Sequence, residues 1–203
     1  MVGWRAAIVW GGGVFLLWLV VYCGANWITG LHGYRVTPQT QLDSMLPFVP
    51  ATAIIYLSLF PMLWLSPFVL RSPARLWKLA RALAIVIVTS GIGFILVPAE
   101  PIDAISTGTH AFGKVFHFAD WINLTHNYFP SLHVAIAVTC AVCYGHSTSP
   151  AAAILFWLWA AMIALATLVT RQHYIADVFA GAILGIAVAI YYARQDSNLR
   201  PAD

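Results

Sequence analysis

The stretch RQHYIAD, residues 171–177, places three charged or titratable side chains inside an otherwise apolar run that extends from Ala151 to Tyr192. His173 and Asp177 are four residues apart, so in a helix they share one face and the carboxylate can accept a hydrogen bond from the imidazole. That bond fixes the tautomer of the ring and raises the basicity of its other nitrogen, as a nucleophilic or general-base histidine requires. Arg171 precedes the pair, and its planar guanidinium suits a bound phosphate.

A second polar site lies in NYFPSLHVA, residues 127–135. Pro130 suits the first turn of a helix, where its missing N–H would have no partner. The N–H groups of Ser131, Leu132 and His133 would then face outward at the positive end of the helix dipole. We therefore predict an anion site at this helix terminus, with the imidazole of His133 beside it.

The elements that must position these two sites are membrane helices. Of the 203 residues, 61% are hydrophobic and 8% are charged, whereas a soluble domain carries about a quarter charged residues. A membrane span needs about 20 apolar residues. We predict an all-α polytopic membrane protein with six transmembrane helices in one bundle, forming a catalytic domain over residues 1–193, and a disordered cytoplasmic tail over residues 194–203. The predicted spans are Ala6–Ile28, Phe48–Leu70, Leu76–Val97, Leu132–Tyr144, Ala151–Val169 and Tyr174–Tyr192.

The orientation follows from the basic residues. The loop between the second and third spans contains Arg71, Arg75, Lys78 and Arg81, which places it in the cytoplasm by the positive-inside rule. Both termini are then cytoplasmic. The long outer loop, Pro98–Pro130, and the polar turn TRQH, residues 170–173, between the fifth and sixth spans share the extracytoplasmic face of the cytoplasmic (inner) membrane. The net charge of +3 is small and spread out, so nothing indicates binding to nucleic acid.

At this face an anion cradle, an arginine and two histidines come together. Phosphoryl transfer needs these parts, because it requires charge neutralisation, a nucleophile and an acid for the leaving oxygen. Two other readings remain open. Each residue can have a local role, as a helix cap, an interfacial anchor or a satisfied polar pair. Alternatively, arginine, histidine and aspartate within a membrane suit a proton-coupled transporter, although that function favours sites at mid-depth.

PSLH and RQHYIADVFAG resemble the second and third signature motifs of the type-2 phosphatidic acid phosphatase superfamily, membrane branch. The resemblance implies a metal-independent enzyme without a cofactor, acting on a phosphorylated lipid. It implies that His173 is the nucleophile that forms a phosphohistidine, with Asp177 as its partner. His133 would protonate the leaving group, and Arg171 and Ser131 would hold the phosphoryl oxygens.

Two departures from the family pattern point to a subgroup. The first motif, a lysine followed eight positions later by Arg-Pro, is missing, and Arg171 and His173 are separated by only one residue. With LDSMLPFVP after the first helix, these features resemble inositol phosphorylceramide synthases. We expect a lipid phosphatase that hydrolyses a lipid phosphate or pyrophosphate; the alternative is a phosphotransferase that moves a phospho-head group to an alcohol.

Further residues are considered as the lining of the substrate pocket, as a helix-packing face or as ligands of a metal ion. Asn127 and Tyr174 are expected to line the substrate pocket, and Leu132 belongs to the phosphate cradle. We interpret the glycine run Gly11–Gly13 as a helix-packing face. Several side chains of the outer loop suggest a zinc site, but their spacing matches no recurring ligand pattern, and we predict no metal. These side chains are His110, His117, Asp120 and His126.

Overall fold

The computed structural model describes residues 4–100, 102 and 111–197. Over these residues the regular secondary structure is helical, and loops and turns join the helices; one isolated bridge pairs Val36 with Ala99. A 3-10 turn at Pro50–Thr52 precedes the third helix. The helices are α1 (Trp4–Gly30), α2 (Gln41–Met45), α3 (Ala53–Leu57), α4 (Leu59–Trp64), α5 (Ser66–Leu70), α6 (Pro73–Leu96), α7 (Ala111–Ile122), α8 (Leu132–Gly145), α9 (Pro150–Val169) and α10 (Ile175–Ser197).

Three helices in the described part of the chain are long and apolar enough to cross a membrane: Ala7–Gly30, Pro73–Leu96 and Pro150–Val169. Shorter apolar helices occupy Pro50–Trp64, Leu132–Gly145 and Ile175–Tyr191. The all-α class of a membrane protein is thus confirmed, whereas the bundle of six transmembrane helices stays a prediction. Helix α10 extends to Ser197, so the segment expected to be disordered begins within a helix, and residues 198–203 lie outside the described residues.

The predicted second span, Phe48–Leu70, is not one regular helix but is divided into a 3-10 turn and the helices α3, α4 and α5. Proline explains the division, because it lacks an N–H and its ring collides with the carbonyl four residues earlier. Pro61 and Pro67 disturb the helix at the carbonyls of Leu57 and Leu63, next to the two junctions.

Helix α8 lies at the centre of the molecule and packs against α6, α9 and α10. Two glycines of α10 allow this close packing. A Cβ at Gly181 would overlap the backbone carbonyl of Ser131, and one at Gly185 would lie 2.6 Å from the carbonyl oxygen of Ala135. The glycines are four residues apart and therefore lie on the same face of α10, as small residues do where membrane helices meet.

The TRQH segment forms the predicted turn between α9 and α10. The N–H of Arg171 donates to the carbonyl of Leu168, and that of Gln172 donates to the carbonyl of Thr167, as in a Schellman cap. Such a cap requires a left-handed residue, usually glycine, and here Arg171 takes that conformation with φ 53°. The backbone strain is thus located at a residue whose side chain belongs to the predicted site.

Two helices that the sequence analysis did not predict cover the end of the bundle where this turn lies. Helix α7 buries Phe116 and Ala119 against Phe48 and Tyr56. Helix α2 begins at a capping box, in which Thr40 and Asp43 exchange hydrogen bonds.

We expect Gly181→Ala to lower the thermal unfolding midpoint in detergent, because the added methyl group must displace the Ser131 backbone at a cost of about 1–3 kcal/mol. Gly24→Ala is the matched control: in the part of the chain that the structure describes, a Cβ there meets nothing within 4 Å. It should raise the midpoint, since alanine favours a helix over glycine by about 1 kcal/mol. Equal midpoints for both variants would contradict the close approach of α8 and α10.

At residue 171 glycine should give a higher thermal unfolding midpoint than alanine, the reverse of the order expected at residue 24. Both Arg171→Gly and Arg171→Ala remove the side chain, but only alanine keeps a Cβ that disfavours the left-handed conformation, by about 1–2 kcal/mol. Arg171→Gly should therefore unfold at the higher temperature of the two. Arg71, with φ 49°, provides a second position for the same comparison. A higher midpoint for the alanine variants would show that the turn is not left-handed.

Candidate active site

The structure brings the two predicted motifs together as a pair of histidines. His173, in the turn that follows α9, and His133, in the first turn of α8, have ring centroids 6.5 Å apart. His173 is only 6% exposed. The Nε2 atom of His133 is buried and has no hydrogen-bond partner among the described residues. A buried polar atom of this kind requires a partner, which a bound phosphoryl group or its leaving oxygen can supply.

His173 and Asp177 form a pair, but not within a helix as the spacing predicted. His173 lies two residues before α10 begins, because the Schellman turn still holds its backbone. Its Nδ1 lies 3.6 Å from Oδ2 of the fully buried Asp177, longer than a hydrogen bond. The same Oδ2 accepts a 2.9 Å hydrogen bond from the N–H of Tyr174. Asp177 therefore caps α10 and directs its charge at the imidazole.

The anion cradle at the start of α8 differs from the prediction in two residues. Pro130 precedes the helix, and Ser131 is its N-cap, whose Oγ accepts a 3.4 Å hydrogen bond from the N–H of Val134. The N–H of Ser131 does not face outward, because it donates to the carbonyl of Asp177 at 2.9 Å. The first-turn N–H groups of Leu132 and His133 remain to hold an anion.

The positive end of α10, in contrast, is already occupied by carboxylates. Besides the bond from Tyr174 to Asp177, the N–H of Ile175 donates to Oδ1 of Asp43 at 2.7 Å. Burial raises the pKa of Asp43, but the hydrogen bonds from Thr40 and Ile175 outweigh it and hold that pKa below its ordinary value. A substrate anion at this site is therefore left with the terminus of α8.

Arg171 supplies the positive charge of the site. Its Nη2 donates to the carbonyl of Leu46 at 3.3 Å, and its Nε is buried without a partner among the described residues. Two polar cavities, of about 230 and 260 Å³, meet at Arg171 and His173. Asn127 lines the first and Tyr174 the second, so both residues expected in the substrate pocket lie next to the histidines.

A third cavity, of about 470 Å³, is apolar and ends at His133. Its walls come from α1, α4, α6 and α8, and they include Trp10, Trp18 and Leu83. Gly11 and Gly12 also border it, and a Cβ at any residue of Gly11–Gly13 would meet no atom of the described residues within 4 Å. The interpretation of this glycine run as a packing face is therefore wrong: the missing side chains leave open space.

Polar residues that no sequence motif indicated hold His133 in place. The ring of Tyr56 stacks on the imidazole with centroids 4.2 Å apart, and its hydroxyl lies 3.1 Å from Nδ1. The hydroxyl of Tyr56 also donates to Asn123. Asn123 in turn donates to Gln172, and Gln172 donates to Asp120. The available signal was weak: Tyr56 is a single hydroxyl in an apolar segment, and Gln172 lies inside the motif itself.

The zinc alternative has no support in the part of the chain that the structure describes. There, no group of three or more histidine, cysteine, aspartate or glutamate side chains could hold a metal ion. Of the four candidate ligands, His110 lies outside the described residues. Asp120 accepts a hydrogen bond from Gln172, and His117 packs edge-on against Phe116.

The comparisons with known proteins agree with this geometry at the level of the family. The family model of the PAP2 superfamily matches residues 16–192, which include both histidines, the aspartate and the arginine. No curated protein and no solved structure matches the chain. Because the match covers most of the sequence and contains the site, the chain belongs to the PAP2 superfamily.

Proposed function

We propose that this protein is an integral membrane lipid phosphatase, which hydrolyses a lipid phosphate or pyrophosphate through a phosphohistidine intermediate. One observation carries the proposal: two histidines from separate motifs face each other near a half-buried arginine, where one phosphoryl group can contact both rings. Superfamily membership supports a phosphatase- or phosphotransferase-type reaction. The resemblance to inositol phosphorylceramide synthases stays a prediction.

In the first step, Nε2 of His173 attacks phosphorus and the bond from phosphorus to the lipid oxygen breaks. That oxygen takes a proton from Nε2 of His133. The negative charge of Asp177, 3.6 Å from Nδ1, favours the positive charge that develops on the imidazole of His173. Arg171 and the N–H groups at the start of α8 stabilise the charge on the phosphoryl oxygens.

In the second step, water attacks the phosphorus of the phosphohistidine and gives its proton to Nε2 of His133. The bond between nitrogen and phosphorus breaks, phosphate leaves, and both imidazoles return to their initial states. His133 therefore alternates between acid and base, while His173 carries the phosphoryl group.

The apolar cavity supports a lipid substrate over a soluble one. It reaches His133 from between the membrane helices, so an apolar chain can occupy it while the head group meets the polar side chains. We further propose that the protein lies in the cytoplasmic membrane with both termini in the cytoplasm. The active site then faces the extracytoplasmic side.

A specific observation also favours the alternative reaction, transfer to an alcohol. His173 is buried, and the two polar cavities reach it from different sides, so one could seat the donor and the other an acceptor. The acceptor would replace water in the second step and leave the first unchanged. Hydrolysis remains the first proposal, because water needs no dedicated acceptor site.

The decisive experiment measures phosphate release by the purified protein in detergent with EDTA. The substrates are phosphatidic acid, phosphatidylglycerophosphate, a polyprenyl diphosphate and a phosphoinositide. His173→Ala should abolish release, because it removes the nitrogen that attacks phosphorus and carries the phosphoryl group. Asp177→Asn should retain residual activity, about 10²–10⁴-fold lower, because it disturbs the orientation of the nucleophile without removing it. His146→Ala, at the opposite end of α8, is the control and should retain activity.

The outcomes separate the proposed reactions. Release without an acceptor supports a hydrolase and excludes a transporter, which has nothing to turn over in detergent. Turnover that requires added diacylglycerol, ceramide or inositol indicates the transferase instead. Near-normal activity of His173→Ala would rule out the phosphohistidine mechanism, and loss of activity with EDTA that zinc restores would rule out metal independence.

The orientation predicts where an impermeant thiol reagent labels intact cells. In a background that carries Cys23→Ser, Lys114→Cys on the exposed surface of α7 should label from outside, because α7 covers the active site. Ala74→Cys, next to the basic loop, should label only after the membrane is permeabilised. The opposite pattern would place the active site on the cytoplasmic side.

A further inference from the structure

A continuous row of polar side chains joins His133 to helix α7. The Nδ1 of His133 lies 3.1 Å from the hydroxyl of Tyr56, which lies 2.7 Å from Oδ1 of Asn123. The Nδ2 of Asn123 donates to Oε1 of Gln172, and Nε2 of Gln172 lies 3.4 Å from Oδ1 of Asp120. These five side chains come from α3, α7, α8 and the two loops that meet at the site, so only the folded bundle assembles the row.

The carboxylate at the end of the row sets the direction of every hydrogen bond in it. An ionised Asp120 can only accept, so the amide NH₂ group of Gln172 faces it and the amide oxygen faces Asn123. The NH₂ group of Asn123 then faces Gln172, and its oxygen faces Tyr56. The single hydroxyl hydrogen of Tyr56 is used on that oxygen, and the hydroxyl can only accept from His133. Nδ1 of His133 must therefore carry a hydrogen.

We propose that Tyr56, Asn123 and Gln172 are positioning residues. Because the carboxylate of Asp120 fixes the direction of each hydrogen bond in the row, these residues hold the imidazole of His133 in the Nδ1–H tautomer. Nε2 is then the nitrogen that gains and loses the catalytic proton. This atom is buried and lacks a partner in the described part of the chain, as an atom that awaits a substrate oxygen must.

This inference rests on the proposed function, in which His133 first donates and then accepts a proton. With Nδ1–H fixed, a neutral His133 always presents a lone pair at Nε2, so it is ready for the proton of the attacking water. The opposite tautomer would present a hydrogen there and could accept nothing. The row thus prevents the ring from adopting a form that cannot complete the second step.

Other titratable groups also surround His133. Tyr56 from α3 and His173 from the turn before α10 face the ring. Tyr22 from α1 lines the same apolar cavity as His133. Asp120 acts through the row, and Asp177 acts through His173.

The tautomer can be measured without any assay of activity. In ¹⁵N-histidine-labelled protein in detergent, the protonated and unprotonated nitrogens of a neutral imidazole resonate far apart, and a spectrum of His133→Gln assigns the signal. The wild-type protein should show the hydrogen on Nδ1. Tyr56→Phe keeps the stacked ring and removes the hydroxyl, so Nε2–H should appear. Asp120→Asn should have the same effect, because an amide can donate and no longer fixes the direction of the row.

Kinetics supply the second readout. Tyr56→Phe should lower kcat about tenfold and move the alkaline limb of its pH profile about one unit lower, because the hydroxyl oxygen favours the imidazolium over the neutral ring. Tyr144→Phe is the matched control: it loses a buried 2.8 Å hydrogen bond to the carbonyl of Met62 but does not contact His133, and it should leave the limb in place.

The two readouts distinguish a failure of the row from a failure of the proposed function. Nε2–H in the wild-type protein, or an unchanged tautomer in Tyr56→Phe, overturns the positioning role whatever the activity. An unmoved alkaline limb in Tyr56→Phe also overturns it. The Nδ1–H tautomer in a protein that turns over none of the lipids leaves the row intact and overturns the proposed lipid phosphatase.

Discussion

The distance between α8 and α10 is set by two glycine residues, and the candidate active site depends on that distance. Without a Cβ at Gly181 and Gly185, the backbone of α10 rests directly on the carbonyls of Ser131 and Ala135. The hydrogen bond from the N–H of Ser131 to the carbonyl of Asp177 then joins the two helix starts. Motifs that are about 40 residues apart in the sequence consequently place their histidines opposite each other.

Two helix N-termini meet at this junction, and the structure uses them differently. The carboxylates of Asp177 and Asp43 accept hydrogen bonds from the N–H groups of Tyr174 and Ile175. The positive end of the α10 dipole is therefore neutralised within the protein. The terminus of α8 has no such carboxylate among its described contacts and stays available for a substrate. Arg171, in a left-handed turn position where glycine is the usual residue, lines both polar cavities together with His173.

The sequence predicted what depends on local composition and spacing. Apolar runs located the helices, the polar TRQH segment located the turn, and PSLH with RQHYIAD indicated the superfamily. Pro61 and Pro67 contained the signal for the broken second segment, and the recurrence of apolar residues every three or four positions in α7 contained the signal for a helix.

The contacts around His133 were not predictable in this way. Tyr56 and Gln172 are more than 110 residues apart, and only the packing of α3 and α7 over the end of the bundle shows that they belong together. The role of Asp43 likewise depends on α2 reaching the start of α10. Single polar residues carry no spacing pattern, so their function emerges only from the tertiary structure.

Gly11 and Gly12 form part of the wall of the apolar cavity, where they leave room for a side chain. A methyl group at either position would meet no atom of the described residues within 4 Å. Alanine at Gly11 or Gly12 can therefore narrow the cavity without repacking the helices or moving the histidine pair. Under the proposed function, the walls of this cavity select the chain of the lipid, whereas the reaction takes place at the histidine pair.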